Sequence, residues 1–224
     1  MSNSLDNKAF ASAVKASLSA ARVGSYEAAI GSHEDAERLA LQLYAWNAEV
    51  SSAFMHPLHI CEVVIRNAVA DALEGVYGPL WPWSPTFERS LPAPPRGYNS
   101  RQDLVSIRSN QPTTGKVIPE LKFAFWQRLF TGRHDTRLWD HHLRRVMPHL
   151  DSSKTIAELR QSLFDDLEII RKLRNRIAHH EPIFTRALLD DYVMIRSLIS
   201  MRCPSTAIWL DGMQRVTTVI AAKP

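Results

Sequence analysis

The chain has 224 residues, of which 45% are hydrophobic and 22% charged, with a formal net charge of +4 and a pI of about 9.2. That composition excludes a disordered or fibrous chain and suits an ordinary globular protein able to bury a real core. The mild basicity is compatible with a nucleic-acid partner and does not demand one.

Helical periodicity dominates the chain and alternating strand patterns are nearly absent. Residues 6–22 read as a short amphipathic helix and Ala20 to Ile30 as another, ended by Gly31. Ser32, with Asp35 three residues on, reads as the N-cap of a long helix through Tyr44, Trp46 and Val50. Pro57 then marks the start of a separate helix, LHICEVVIRNAVADALEGVYG. Residues 79–101 hold six of the 13 prolines and read as a long irregular insertion, packed onto the body through Trp81, Trp83 and Phe87.

A short helix is expected at Gln102–Ser109. After the loop NQPTTG, KVIPELKFAFWQRLF reads as one apolar helix. Asp135 is placed to cap TRLWDHHLRRV, which Pro148 stops. Thr155 and Glu158 form a capping box opening the longest helix, which Pro182 should end near His180. A helix from Thr185 or Arg186 to Met201 and a last amphipathic segment after Pro204 complete a single all-α domain, residues 1–224, of roughly seven to nine helices.

No apolar run is long enough to span a bilayer, and the first ten residues lack the pattern of a signal peptide, so a cytoplasmic protein without a membrane partner is expected. Cys61 and Cys203 show no metal or disulfide spacing and read as buried small hydrophobes. Asp140, His141, His142 and His149 do not share the spacing of a zinc site. There is no Gly-rich phosphate loop, so neither a metal nor another cofactor is expected. Trp126 and Trp139 read as core. Arg128, Arg133, Arg137, Arg144 and Arg145 form either a solvated face or a basic surface for phosphates.

Two places set polar residues on the wrong face. In the longest helix Leu159, Leu163, Leu167, Ile170, Leu173 and Ile177 form an apolar stripe, and Arg174 falls inside it. A guanidinium there must be paired or reach a cleft. Asn175 and His179 lie four apart on the opposite face, and His179 points about 140° away from Arg174 on an ideal helix. In the earlier helix Glu62 and Arg66 sit four apart in apolar surroundings, with Asn67 adjacent. They form either an intrahelical ion pair or a brace for the 174–180 segment, with Arg174 the obvious partner for Glu62.

An Arg, an Asn and a His at this spacing can serve metal-free RNA cleavage. A histidine gives or takes a proton near neutrality. An arginine fork neutralises charge building on a phosphate, and an asparagine orients either. Two such helix ends in a symmetric dimer would bring two arginines and two histidines into one cleft. The same Arg171, Lys172, Arg174, Arg176 and His179 would also suit the negative end of a helix macrodipole with no chemistry at all.

The segment LRNRIAHHEPIF (173–184) resembles the R-x4-6-H signature of the HEPN (higher eukaryotes and prokaryotes nucleotide-binding) superfamily in its R-N-x-x-x-H form. The companions LYAWNAEVSSAF (43–54), LHICEVVIRNAVADAL (58–73) and ELKFAFWQRLF (120–130) are similar to its Abi-like, abortive-infection branch. The resemblance implies a HEPN-like helical bundle with additional helices, a homodimer joined through the motif helices, and metal-independent endoribonuclease activity in phage defence or as a toxin, with an antitoxin or regulatory partner. It assigns Arg174 and His179 the essential roles and Asn175 the polar one. His180 is the second His common in the branch. Some superfamily members only bind RNA or nucleotides or serve as interaction modules, so a non-catalytic binding module is the alternative.

Overall fold

The structure is a computed structural model describing residues 2–224, with side chains described from residue 8. It is all-α: twelve α-helices and no strand among the described residues. None of these helices is long and apolar enough to cross a membrane.

Helices α1 (Ser2–Leu18) and α2 (Ala20–Ile30) form a hairpin. The break comes at Ser19, at φ 76°, whose hydroxyl accepts the Arg22 N–H. The chain therefore turns earlier than a helix over 6–22 would allow. Gly31, at φ 73°, ends α2 as expected.

Helix α3 (Ala36–Tyr77) runs unbroken for 42 residues, about 63 Å at 1.5 Å per residue. Two expectations are corrected here. Asp35, not Ser32, holds the N-cap position, because His33 turns the chain by accepting the Asp35 N–H at its ring nitrogen (3.0 Å). Pro57 lies inside the helix rather than dividing it. The missing N–H and the ring clash cost the helix about 3 kcal/mol, but Pro57 and its neighbours Phe54, Leu58 and Cys61 are all buried. Tertiary packing outweighs the local penalty. Because α3 crosses the whole molecule, α1, α2, α7, α8, α9, α10 and α12 all lean on it.

The 79–101 segment is more ordered than expected. A 3-10 turn at Trp81–Trp83 leads into α4 (Pro85–Ser90), capped by the Ser84 hydroxyl. Trp81 and Phe87 are fully buried and meet Trp126 and Phe125 edge-on, at centroid distances of 6.2 and 6.4 Å. Arg101, in α5 (Ser100–Arg108), fastens the segment by donating to the carbonyls of Glu88, Arg89 and Leu91. The insertion is a packed part of the core.

The apolar run 116–130 is two helices, α6 (Thr114–Glu120) and α7 (Phe123–Arg128), separated by extended backbone at Leu121 and Lys122. The break lets Leu121, Phe123, Phe125 and Trp126 bury together, which one straight helix face cannot do. Asp135 is not a helix cap. It opens a π turn (Asp135–Trp139) before α8 (Asp140–Val146), and its carboxylate is taken by Arg160 at 2.9 Å. Trp139 is core: it stacks on Phe130 (4.5 Å) and donates to the Leu129 carbonyl.

Helix α9 (Ile156–Ala178) starts with the expected capping box of Thr155 and Glu158 and buries the whole Leu159-to-Ile177 stripe. Helices α10 (Leu188–Arg202), α11 (Pro204–Asp211) and α12 (Val216–Ala221) follow, so the last amphipathic segment is also divided. These divisions raise the helix number above the seven to nine expected. One continuous core joins residues from Val23 to Val219. Cys61 is within it, whereas Cys203 is only half-buried, and both are free thiols.

Candidate functional site: the C-terminal end of α9

Helices α9 and α3 run antiparallel. The end of α9, with the turn that follows, lies along the N-terminal and middle parts of α3. Two contacts set this register: Glu62 of α3 meets Arg174 of α9, and Asn47 of α3 meets the backbone at Ile183 and Phe184.

Arg174 does not enter the core. Its side chain is 44% exposed, and its Nε lies 3.7 Å from a carboxylate oxygen of Glu62. The ion pair of Glu62 is thus to α9, not to Arg66 within its own helix. At this exposure and distance the pair contributes under about 1 kcal/mol to stability. Its effect is to orient Arg174 at the helix surface. Arg66 is half-buried, with a buried Nε that has no hydrogen-bond partner among the described residues. Asn67 is exposed. Of the three α3 residues singled out, Glu62 alone meets the motif.

Asn175 is half-buried and faces away from the Leu173–Ile177 stripe. Its carbonyl accepts the N–H of His179, which is the C-cap of α9 and exposed. His180 has φ 56°, in the left-handed region. Its N–H donates to the Ile177 carbonyl (3.0 Å) and the Glu181 N–H to the Arg176 carbonyl (2.8 Å). Those two bonds make a Schellman cap with histidine where glycine is usual. The apolar contact that commonly closes such a cap is replaced by an Arg176–Glu181 ion pair at 3.7 Å.

The turn beyond is held from three sides. Arg22 of α2 donates to the His180 carbonyl (2.5 Å), and Arg176 donates twice to the Pro182 carbonyl (3.0 and 2.6 Å). Asn47, only 5% exposed, accepts the N–H groups of Ile183 (2.8 Å) and Phe184 (3.2 Å) through one side-chain oxygen. The two adjacent imidazoles therefore project from a braced backbone. Sequence reasoning missed Arg22 and Asn47. For Asn47 a signal existed: an amide interrupting the buried positions Leu43, Trp46, Val50 and Phe54.

Elsewhere the alternatives narrow. Arg144 donates to the carbonyls of Asp151 and Lys154. Arg145 donates to the Asp71 carbonyl and to Nδ1 of His142. Both are engaged in structure, while Arg128, Arg133 and Arg137 are exposed. Burial, helped by Arg145, lowers the pKa of His142 from its ordinary value. Among the described residues no three His, Cys, Asp or Glu side chains gather as a metal-binding group.

The end of α9 thus offers a guanidinium beside a carboxylate and two exposed imidazoles on a braced turn, with the exposed Lys172 nearby. Chemically it can receive a phosphate and exchange protons beside it. Family models, curated proteins and solved structures give no match to this chain.

Proposed function

We infer that the protein is a metal-independent endoribonuclease of the HEPN type, with its site at the C-terminal end of α9. The observation that carries this reading is the Glu62–Arg174 contact beside the histidine pair on its braced turn. A helix end that needed cations only for its macrodipole has no use for an imidazole held in a left-handed conformation where glycine is usual.

In this mechanism a histidine, His179 first, takes the proton of the ribose 2′-OH. The 2′ oxygen attacks phosphorus, the bond to the 5′ oxygen breaks, and a protonated imidazole supplies the proton to that leaving oxygen. A 2′,3′-cyclic phosphate and a 5′-OH end result. Arg174 stabilises the charge that builds on the phosphate, and Asn175 orients the imidazole or a phosphate oxygen. His180 and Glu62 support them. Two protomers joined through α9 build each site, Arg174 coming from one and the His179–His180 pair from the other, so the site is composite and the enzyme a homodimer. Phage defence or toxin action in the cytoplasm, restrained by an antitoxin or regulatory partner, is the setting that suits such an activity.

The test is RNA cleavage in EDTA by wild type and by an Arg174→Ala/His179→Ala double variant. The expected result is cleavage that EDTA leaves intact and that the double variant loses by at least 100-fold, with its helical circular dichroism unchanged. Equal cleavage by the two proteins overturns the assignment.

A further inference from the structure

A groove of about 430 Å³ opens directly beside the candidate site. Its walls are α3 on one side and the end of α9 on the other. Tyr44, Ser51, Ser52 and Met55 come from α3, Ala178 from the end of α9 and His180 from the turn beyond it. Tyr44 and Met55 stand 11 residues apart on one helix, about 16 Å. Between them the small side chains of Ala48, Ser51 and Ser52 keep the groove open.

The floor is rigid. Tyr26 is 1% exposed and packs against Tyr44 (5.1 Å between ring centroids) and Phe184 (5.0 Å). Burial raises its hydroxyl to about 12, so it stays protonated and able to donate. Met55 is 52% exposed, so its flexible thioether is free to pack against an occupant.

The groove is thus apolar on its faces, carries hydroxyls along one edge, and is continuous at His180 with the cationic end of α9. An occupant that matches packs a ring against Tyr44, offers polar edges to the serine hydroxyls and carries an anion. A nucleotide has those three properties, whereas an acidic peptide lacks the flat face.

We propose that this groove is a nucleobase subsite for single-stranded RNA. One base lies between Tyr44 and Met55 with its edge toward Ser51 and Ser52, while its phosphate sits at the end of α9. Stacking on an aromatic side chain is tolerant of sequence, and the serine hydroxyls supply a modest preference among bases. The proposal rests on the nuclease reading for its substrate class but not on catalysis.

The test is a binding experiment by fluorescence anisotropy. The probes are a labelled 2′-O-methyl single-stranded RNA, which has no free 2′-OH and is not cut, and an abasic strand of equal length. Wild type is expected to bind the base-containing strand at least ten-fold tighter. Ser51→Leu, which fills the groove, and Tyr44→Ala, which removes the stacking ring, should each reduce that preference at least five-fold, while Tyr44→Phe retains it. Ser52→Leu, on the exposed rim, gives a second filled groove should Ser51→Leu fail to fold. Equal affinity for the two strands, no binding, or an unchanged preference in both groove-filled variants overturns the subsite. Base-dependent binding with no cleavage of unmodified RNA overturns the nuclease and leaves the subsite standing. RNA cleavage indifferent to Ser51→Leu and Ser52→Leu does the reverse.

Discussion

His180 holds a backbone conformation that a non-glycine L-residue adopts at a cost of about 1–2 kcal/mol, and strain of this kind gathers at functional sites. His180→Gly is therefore expected to raise stability by about 1 kcal/mol, read as a higher urea midpoint, while RNA cleavage falls. A variant no more stable than wild type would show that the imidazole itself supports the turn. His134 is a different case. It is 4% exposed, its Nε2 has no hydrogen-bond partner among the described residues, and burial with the nearby Arg133 lowers its pKa from 6.5 to about 4. The unfolded chain therefore takes up the proton first. Stability should fall as pH drops below 6.5 and level off near 4, losing about 3 kcal/mol in all. Urea unfolding at pH 7 and pH 4.5 measures it, and His134→Leu should lack that part of the loss.

At the scale of elements, the hydrogen bonds that join α3 to the turn after α9 go through one amide, that of Asn47. Asn47→Ala leaves the buried Ile183 N–H and the partly buried Phe184 N–H without their acceptor, at about 1–3 kcal/mol for an unsatisfied group. The expected outcome is a loss of about 2–4 kcal/mol, with faster amide exchange at 183 and 184. Unchanged exchange there would place the brace with Arg22 and Arg176 instead. Such joins also explain which elements periodicity located. The capping box of α9 and its apolar stripe are local, so they were legible. The continuity of α3 through Pro57 was not, because what outweighs the proline is the burial of Phe54, Pro57, Leu58 and Cys61 under the helices packed on α3. The break at Leu121–Lys122 was equally hidden, since it serves burial against the Trp81–Phe87 cluster, some 35 residues earlier.

At the scale of the molecule, α9 presents Arg174 beside α3 and His179 at its own C-cap, two different settings on one helix. Under the proposed function a composite site solves that divergence by using two protomers. Arg174→Ala and His179→Ala are each expected to be inactive alone. Mixed, after unfolding and refolding together, they should recover up to about a quarter of wild-type cleavage, because half the dimers are mixed and each carries one intact site in two. No recovery would place both groups within one protomer, and gel filtration of the same samples reports whether dimers formed.

By itself the sequence determined the all-α class, the caps at Thr155 and Gly31, the apolar stripe of α9 and the two polar anomalies at Glu62 and Arg174, because each depends on helical spacing alone. It also narrowed the partner of Glu62 to Arg66 or Arg174, both sterically reachable. Only the tertiary structure decided between them, since the antiparallel register of α3 and α9 is set by packing and not by either helix. The same register brings Asn47 and Arg22 to the turn that carries the histidines and opens the groove at Tyr44. Contacts between residues more than 130 positions apart follow from how buried faces meet, which no local pattern encodes.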